Sequence, residues 1–239
     1  MNLLILCLLC QIELFEPAKI AEFADHLYNK GDYAAALNEY RRSLFVSDSV
    51  SEKTRDRIVD CLIRLARHEE AIVESENIDD TNKRNFTKGL IYFSAGDFDS
   101  SRAYLQSVDV PYVSDSRRLL GLGYAYEYEF EKAAEYIRVP SPIPAHRSPG
   151  LGALFSVVPG GGHFYAGRIG DGIYSFLVVG TAALLSYYYY DRDEKVKFGI
   201  SLTAAILLYA GNIYGGVNAV RNYNGYSDET FLQRILREN

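Results

Sequence analysis

The sequence predicts an all-α protein: an array of helical hairpins in the first half, then a helical hairpin embedded in a membrane. Short motifs of small and aromatic residues recur at intervals of about one helical hairpin. Two apolar runs without a charged residue, 172–190 and 198–220, flank the charged turn 191–197. As helices they would extend for roughly 28 and 34 Å, enough to cross a hydrocarbon core of about 30 Å. A buried hairpin of a soluble domain is the disfavoured alternative, because two such runs side by side are rare there.

Residues 1–16 are predicted to be a secretory signal peptide. Their apolar stretch, 3–9, is too short to span a membrane but has the length of a signal-peptide core. No Lys or Arg precedes it and no small-residue cleavage site follows, so an uncleaved apolar first helix is the alternative. Cys10 makes lipidation a minor alternative, although the bulky Leu9 precedes it. The C-x-x-C of Cys7 and Cys10 lies in this apolar stretch and does not indicate a redox site.

The recurring motif has a small residue, an aromatic or apolar residue three positions later, then Gly-Asp-aromatic, and another small residue three positions further on. Two copies show it fully, around Gly31-Asp32-Tyr33 and Gly96-Asp97-Phe98. A copy around 121–137 keeps the small and aromatic positions, and one around 61–71 is weak because it lacks Gly-Asp. The second small residues are Ala36, Ala71, Ser101 and Ala133, which are 35, 30 and 32 residues apart.

This spacing resembles the tetratricopeptide repeat (TPR) family, whose unit is 34 residues, over about 17–145. The resemblance implies pairs of helices stacked into an array, with small residues at their close approaches and a left-handed glycine after each first helix. It also implies a groove for peptides or proteins, lined by the first helix of each pair. We therefore assign 17–138 to a TPR-like repeat domain.

The repeat register places a set of side chains in this groove. They are Asp25, Tyr28, Asp56, Asp60, Arg64, Phe86, Leu90, Phe93, Arg118, Leu122 and Tyr126. Phe86, Leu90 and Phe93 form an apolar i, i+4, i+7 stripe, and an exposed stripe of this kind usually marks a partner site. The sequence leaves open the alternative that the stripe packs against its own chain. Cys61 is expected to be a small core residue.

A proline-rich segment, 139–149, separates the array from the membrane part. It holds four of the seven prolines, so an extended connector is expected there. A membrane domain is then predicted over 150–224 and a polar tail over 225–239. The domain begins with an apolar stretch that is too short to span and is broken by a proline and three glycines. We expect this stretch to be a half-inserted segment followed by a tight loop.

The loop has a distinctive order of residue types. Its defining residues are Pro159, Gly160, Gly162, His163, Tyr165, Gly167 and Arg168. This order, with the closing motif 211–218, resembles a bacterial group of small two-transmembrane-helix domains over about 148–224. The resemblance implies membrane location and architecture but no activity, and His163 stands where that group usually has Gln. Phosphate binding by the glycines is disfavoured, because no strand precedes them and no Gly-Lys-Ser/Thr follows.

Small residues and two asparagines are expected to pack the spanning helices. They are Gly180, Gly211, Asn212, Gly215, Asn218 and Ala219. Small residues four apart let helices approach closely in lipid, and the amides of the asparagines need partners inside the bundle. The favoured interpretation is packing within one chain, and the alternative is self-association through these helices.

Charge and composition exclude several function classes. Residues 1–148 hold 18 basic and 24 acidic residues, so the whole net charge of −6 lies there. An acidic half argues against nucleic acid as a partner. We find no nucleophile–base pair, metal-ligand spacing or paired carboxylates in the sequence, and therefore expect no enzyme activity and no cofactor.

The sequence therefore predicts a membrane-anchored adaptor whose repeat groove binds a protein or peptide. We expect it in a bacterial membrane, the inner one, with the array on the exported, periplasmic side and the turn 191–197 in the cytoplasm. The alternative is a subunit of an envelope transport or assembly complex, in which the spanning hairpin makes the functional contacts.

Overall fold

The computed structural model describes residues 16–47 and 51–239. All but the last residue of the predicted signal segment 1–16, including Cys7 and Cys10, lie outside these residues. Within them the regular secondary structure is entirely helical, which confirms the all-α class. The chain divides into two compact units, one up to Val139 with Asn239, and one formed by Pro140–Glu238.

Among residues 16–47 and 51–139, the first unit forms four successive helical hairpins. Its helices are α1 (Pro17–Asn29), α2 (Tyr33–Val46), α3 (Glu52–Arg64), α4 (His68–Ser75), α5 (Thr81–Ser94), α6 (Phe98–Leu105), α7 (Val113–Tyr126) and α8 (Phe130–Ala133). The second helices shorten along the chain, and α8 has only four residues. Residues 81–85 form the first turn of α5, and Asp80 caps it by accepting from the amides of Asn82 and Lys83.

The four hairpins share one turn. Its central residue has a positive φ in every case, at Gly31, Ala66, Gly96 and Tyr128. The next amide donates to the carbonyl five residues earlier, as in Asp32 N–H to Leu27 and Arg67 N–H to Leu62. This hydrogen bond is that of a Schellman motif, which ends the first helix. The predicted left-handed glycine is therefore present in two turns, and the other two adopt the same conformation without glycine.

Small residues make the close contacts that the repeat pattern predicts. The second small residues, Ala36, Ala71, Ser101 and Ala133, are all buried. On the first helices, a Cβ added to Gly89 would lie 2.5 Å from Leu105 Cγ, and one added to Gly121 would lie 2.6 Å from Ile137 Cγ2. Glycine is thus required where these two helices cross their partners.

The turn register corrects the assignment of the second repeat. Counting back from the left-handed residue, Val59 holds the position of Ala24, Gly89 and Gly121. Cys61, which the sequence analysis aligned there, lies two residues away, although it is buried in the core as expected. Burial raises the pKa of its thiol to about 11, so the group is a neutral core residue at physiological pH.

The second unit has two short helices and two long ones. They are α9 (Pro149–Phe155), α10 (Gly161–Tyr165), α11 (Ile169–Asp191) and α12 (Lys195–Glu238). Both long helices are long and apolar enough to cross a membrane, and only 17% of the residues in each apolar stretch are buried. Such low burial is expected of helices whose apolar faces meet lipid, and not of the core helix of a soluble domain. Tyr190 and Phe198 pack across the turn between them, with ring centroids 5.4 Å apart.

The last helix is longer than the sequence predicts. The second apolar run ends at 220, but α12 continues without a break to Glu238, so the predicted polar tail 225–239 is almost wholly helical. Asp228, Phe231, Leu232 and Ile235 are buried at helical spacing on this extension. The tail is therefore an amphipathic helix and not an irregular, solvent-exposed segment.

The turn geometry predicts that Ala66→Gly stabilises the array. The left-handed region raises the conformational free energy of an L residue by about 1–2 kcal/mol. Glycine does not have this strain, but it loses more conformational entropy on folding, at a cost of about 0.5–1 kcal/mol. We expect a net gain of roughly 0.5–1 kcal/mol, seen as a rise of a few degrees in the thermal midpoint followed by circular dichroism. Ala95→Gly is the matched control, because Ala95 has φ −78°. It should lower the midpoint, and a rise in both variants would contradict the argument.

Candidate functional site

The predicted groove residues lie on the first helix of each hairpin. Four of them, Asp56 and Asp60 on α3 with Phe86 and Leu90 on α5, line one open cleft of about 500 Å³. The cleft is also lined by Lys53, Arg57, Val59, Ile63, Lys83, Thr87 and Tyr112. We call its charged lining residues the walls and its apolar lining residues the floor; such a mixture is typical of sites that bind peptide side chains.

The charged walls are held by pairs that cross between hairpins. Lys53 Nζ lies 2.8 Å from Asp25 Oδ2, and Lys83 Nζ lies 2.8 Å from Asp56 Oδ2. The hydroxyl of Tyr28 donates to Asp60. Arg57 stands 4.4 Å from the centroid of the Tyr28 ring. These pairs leave no large unbalanced charge in the cleft.

Asp25 is the most strongly engaged carboxylate of this surface. Burial by itself raises its pKa, but hydrogen bonds from Lys53 and Tyr40 and the charges of Lys53 and Arg57 outweigh it. The pKa of Asp25 is therefore lowered. Tyr40 donates to Asp25 Oδ1 over 2.5 Å, and burial together with this carboxylate raises the pKa of the Tyr40 phenol. The pair links α1 to α2 beneath the groove.

The apolar stripe contacts its own chain and also lines the cleft. Phe86 stacks on Tyr112, with centroids 4.9 Å apart. Phe93 packs edge-on against Phe98 and Tyr126 at 5.5 and 6.0 Å. All three residues of the stripe are half-buried. Phe86 and Phe93 are therefore partly covered by their own chain, while Phe86 and Leu90 also line the cleft.

The other predicted groove residues lie elsewhere on the first helices. Arg64 is exposed and stands 5.5 Å from the centroid of the Tyr33 ring. Arg118 is exposed and Leu122 half-buried, and neither lines the cleft. Sequence analysis missed Ile63 and Tyr112. Ile63 could have been found, because it shares the turn register of Tyr28 and Phe93, whereas Tyr112 lies at a helix start that the repeat pattern does not define.

In the second unit, one polar side chain organises the loop. Asn212, on the spanning part of α12, accepts from Gly160 N–H at 2.7 Å and from Ser175 Oγ at 2.9 Å. Its Nδ2 donates to the Ser156 carbonyl over 2.7 Å. The hydroxyl of Tyr209 donates to the Val157 carbonyl at 2.9 Å. The break between α9 and α10 thus finds its hydrogen-bond partners on α12.

Glycines allow the loop to approach the long helices at backbone distance. Gly160 is left-handed, and a Cβ there would collide with the Gly172 carbonyl. A Cβ at Gly162 or Gly216 would collide with Ser156 Oγ. At these positions the backbone of the loop closely approaches the backbone of α11 at Gly172 and of α12 at Gly216, which only glycine permits.

The residues predicted to pack the hairpin divide into two groups. Asn212 and Ala219 are buried, and Gly215 lies against the His163 ring, whose Nε2 would be 3.1 Å from an added Cβ. Gly180 and Gly211 instead have open space around the position of a Cβ, so their role in packing α11 on α12 stays a prediction. The close approach is made by the loop glycines, which occupy the face of α12 that was assigned to α11. Asn218 is half-buried.

The remaining loop residues form local contacts. Arg168 Nη2 lies 2.5 Å from Asp171 Oδ2, and the Tyr165 hydroxyl accepts from Ser148 N–H at 3.3 Å. Gly167 is left-handed, and Pro159 is half-buried before the glycines. His163 Nδ1 is buried without a hydrogen-bond partner. These residues shape the loop and offer no reacting pair.

The end of the proline-rich segment is attached to α12. Arg147 N–H donates to Asn224 Oδ1, and Asn224 Nδ2 donates back to the Arg147 carbonyl, both over 2.9 Å. His146 Nε2 lies 2.8 Å from Asp228 Oδ1. Residues 146–148 are therefore fixed to the second unit, whereas the sequence predicts a connector over the whole of 139–149.

No family model, curated protein or solved structure matches the chain. Among residues 16–47 and 51–239, no group of three or more His, Cys, Asp or Glu side chains is placed to hold a metal ion. The inference of function therefore depends on the geometry of the cleft and of the second unit.

Asn212→Leu should strongly destabilise the second unit. The variant leaves Gly160 N–H and the Ser156 carbonyl unpaired in an apolar setting, at a cost of about 1–3 kcal/mol for each group. We expect a loss of folded protein or a fall of several degrees in the thermal midpoint in detergent. Asn218→Leu is the control and should have a much smaller effect. Equal effects of the two variants would contradict the conclusion that the hydrogen bonds of Asn212 hold the loop.

Asp25→Asn should destabilise the array at neutral pH and weaken its acid sensitivity. A carboxylate with a lowered pKa stabilises the fold above its unfolded pKa of 3.8, and this contribution is lost as the pH falls through the lower folded value. The difference in thermal midpoint between wild type and variant should shrink as the pH falls from about 5 to about 3. Asp115→Asn, at an exposed position, is the control and should follow the wild type. A gap that stays constant with pH would contradict the assignment.

Proposed function

We propose that this protein is a membrane-anchored adaptor, and that the cleft between α3 and α5 holds a peptide segment of a protein partner. The observation that carries this proposal is the cleft itself: about 500 Å³, open, with half-exposed Phe86 and Leu90 on its floor. An apolar floor that remains accessible beside fixed polar walls favours capture of an apolar side chain.

The charges of the cleft indicate what kind of peptide it would accept. Lys53, Arg57 and Lys83 already have acidic or aromatic neighbours, so a strongly charged ligand would have to displace them at a desolvation cost. We infer a ligand of low net charge that inserts an aliphatic or aromatic side chain between Ile63 and Leu90. Its flanking backbone can hydrogen-bond to the polar walls.

The resemblance to TPR arrays supports the same surface, because members of that family bind peptides with the first helices of their hairpins. It remains a proposal here, as do the signal peptide, the bacterial inner membrane and the periplasmic side for the array. The two apolar helices support membrane association. A spanning hairpin would tether the chain to the membrane.

Photo-cross-linking in native membranes tests the adaptor proposal. A photoreactive residue at Leu90 should give discrete protein adducts, whereas one at Val73, which is 68% exposed on the second helix α4, should not. Leu90→Asp should weaken binding of the identified partner at least tenfold, because it places a charge on the apolar floor. Val73→Asp should leave binding unchanged. Equal adducts from both positions, or none from Leu90, would contradict the proposal.

The second candidate function is that of a subunit whose spanning hairpin contacts other membrane proteins or a second copy. The open space at Gly180 and Gly211 favours it, since both glycines are free to admit another helix. A third arm of the same experiment places the photoreactive residue at Gly211. Adducts from Gly211 without adducts from Leu90 would favour this candidate over the adaptor.

A further inference from the structure

Arg147 is an arginine held in a fixed position within the second unit. Its main-chain N–H and carbonyl are both bonded to the side chain of Asn224. Its Nη1 donates to the Tyr165 carbonyl over 2.6 Å, and its guanidinium carbon lies 3.8 Å from the centroid of the Tyr223 ring. The residue is half-buried. The guanidinium is thus oriented before any ligand arrives.

No carboxylate balances this charge within the part of the chain that the structure describes. Two acidic groups of the second unit are engaged with other side chains: Asp171 lies 2.5 Å from Arg168, and Asp228 lies 2.8 Å from His146. Arg147 makes no ion pair of its own in the described residues. A half-buried guanidinium with neutral neighbours favours an anion from outside the chain, since charged groups removed from water are normally paired.

A second arginine lies on the same helix. Arg221 is exposed and precedes Asn224 by about one turn, so the two side chains lie on neighbouring parts of one helix surface. It makes no ion pair among the residues the structure describes. Arg221 therefore lies on the part of the α12 surface to which Arg147 is bonded through Asn224, and it adds there a second cation that has no ion-pair partner in the described part of the chain.

These residues lie where the apolar span of α12 ends. The run without charge ends at 220, and Arg221 and Tyr223 follow directly. Arginine and tyrosine at the end of a span are typical of the headgroup layer. On the other side of Arg147, α9 begins at Pro149 and exposes Leu151, Leu154 and Phe155. An oriented cation therefore adjoins an apolar surface that acyl chains can cover.

We propose that Arg147 and Arg221 bind the phosphate of an anionic phospholipid, with its acyl chains against the exposed face of α9. Arg147 offers a planar fork of donors suited to phosphate oxygens. The apolar neighbours favour a lipid over free phosphate, because only a lipid covers both surfaces. This inference does not depend on the adaptor proposal, since it concerns the second unit alone.

The test measures the thermal stability of the full-length protein in mild detergent. Phosphatidylglycerol should raise the unfolding midpoint by several degrees, because a ligand that binds only the folded state stabilises it. Phosphatidylcholine and inorganic phosphate at matched concentration should give less than a third of that shift. An equal shift from phosphatidylcholine would show a general lipid effect, and an equal shift from inorganic phosphate a free-anion site; either would overturn the proposal.

Substitutions test whether the two arginines cause the shift of the unfolding midpoint by phosphatidylglycerol. Arg221→Gln, at an exposed position, should fold and lose at least half of the phosphatidylglycerol shift. Arg147→Gln should lose most of it, and Arg147→Lys, which keeps the charge but not the fork, should be intermediate. Arg192→Gln is the matched control, since Arg192 also stands over a tyrosine, 4.4 Å from the Tyr188 centroid, at the other end of the hairpin. A full shift in Arg221→Gln, or an equal loss in Arg192→Gln, would overturn the assignment.

Discussion

The second unit depends on the hydrogen bonds that Asn212 makes to a broken stretch of backbone. In a hydrocarbon environment an unpaired amide or carbonyl is costly, so irregular backbone persists only where protein groups satisfy it. Asn212 lies about 21 Å along α12 from Phe198, well inside the apolar span. One amide there pairs with both sides of the break, at Ser156 and Gly160. The short helices α9 and α10 can therefore pack at the depth of the spanning helices.

This constraint explains which small residues pack and which do not. The amide of Asn212 reaches the loop only if the two backbones are close, and Gly160, Gly162 and Gly216 provide that distance. Sequence patterns predict a glycine-rich loop and a small-residue face on α12, but they do not show that one covers the other. The obvious partner for the small face was α11, the neighbour in sequence. The contact with the loop spans more than fifty positions, as in the Gly160–Asn212 bond, and no local pattern encodes it.

In the array, sequence predicts the hairpins because small residues and turn glycines carry a local signal. The signal fails where Ala66 and Tyr128 adopt the left-handed turn without glycine, because the pattern identifies this turn by its glycine. It also fails for the end of α12, whose Asn and Gly residues suggest an end that the helix does not have. The groove positions follow from register alone, but which of them share a cleft depends on Tyr112 and on ion pairs between hairpins. Whether the array belongs to the TPR family stays a prediction.

A shallow cleft and a membrane anchor are consistent with each other under the adaptor proposal. The cleft has few accessible apolar groups, chiefly Phe86 and Leu90, and its charges are already paired. A site of this kind gains little from electrostatic steering and holds a free peptide with modest affinity. Confinement to a membrane raises the effective concentration of a partner in the same membrane, so modest intrinsic affinity is sufficient. The same confinement requires a stable anchor, and the buried amide of Asn212 with its glycine contacts provides one.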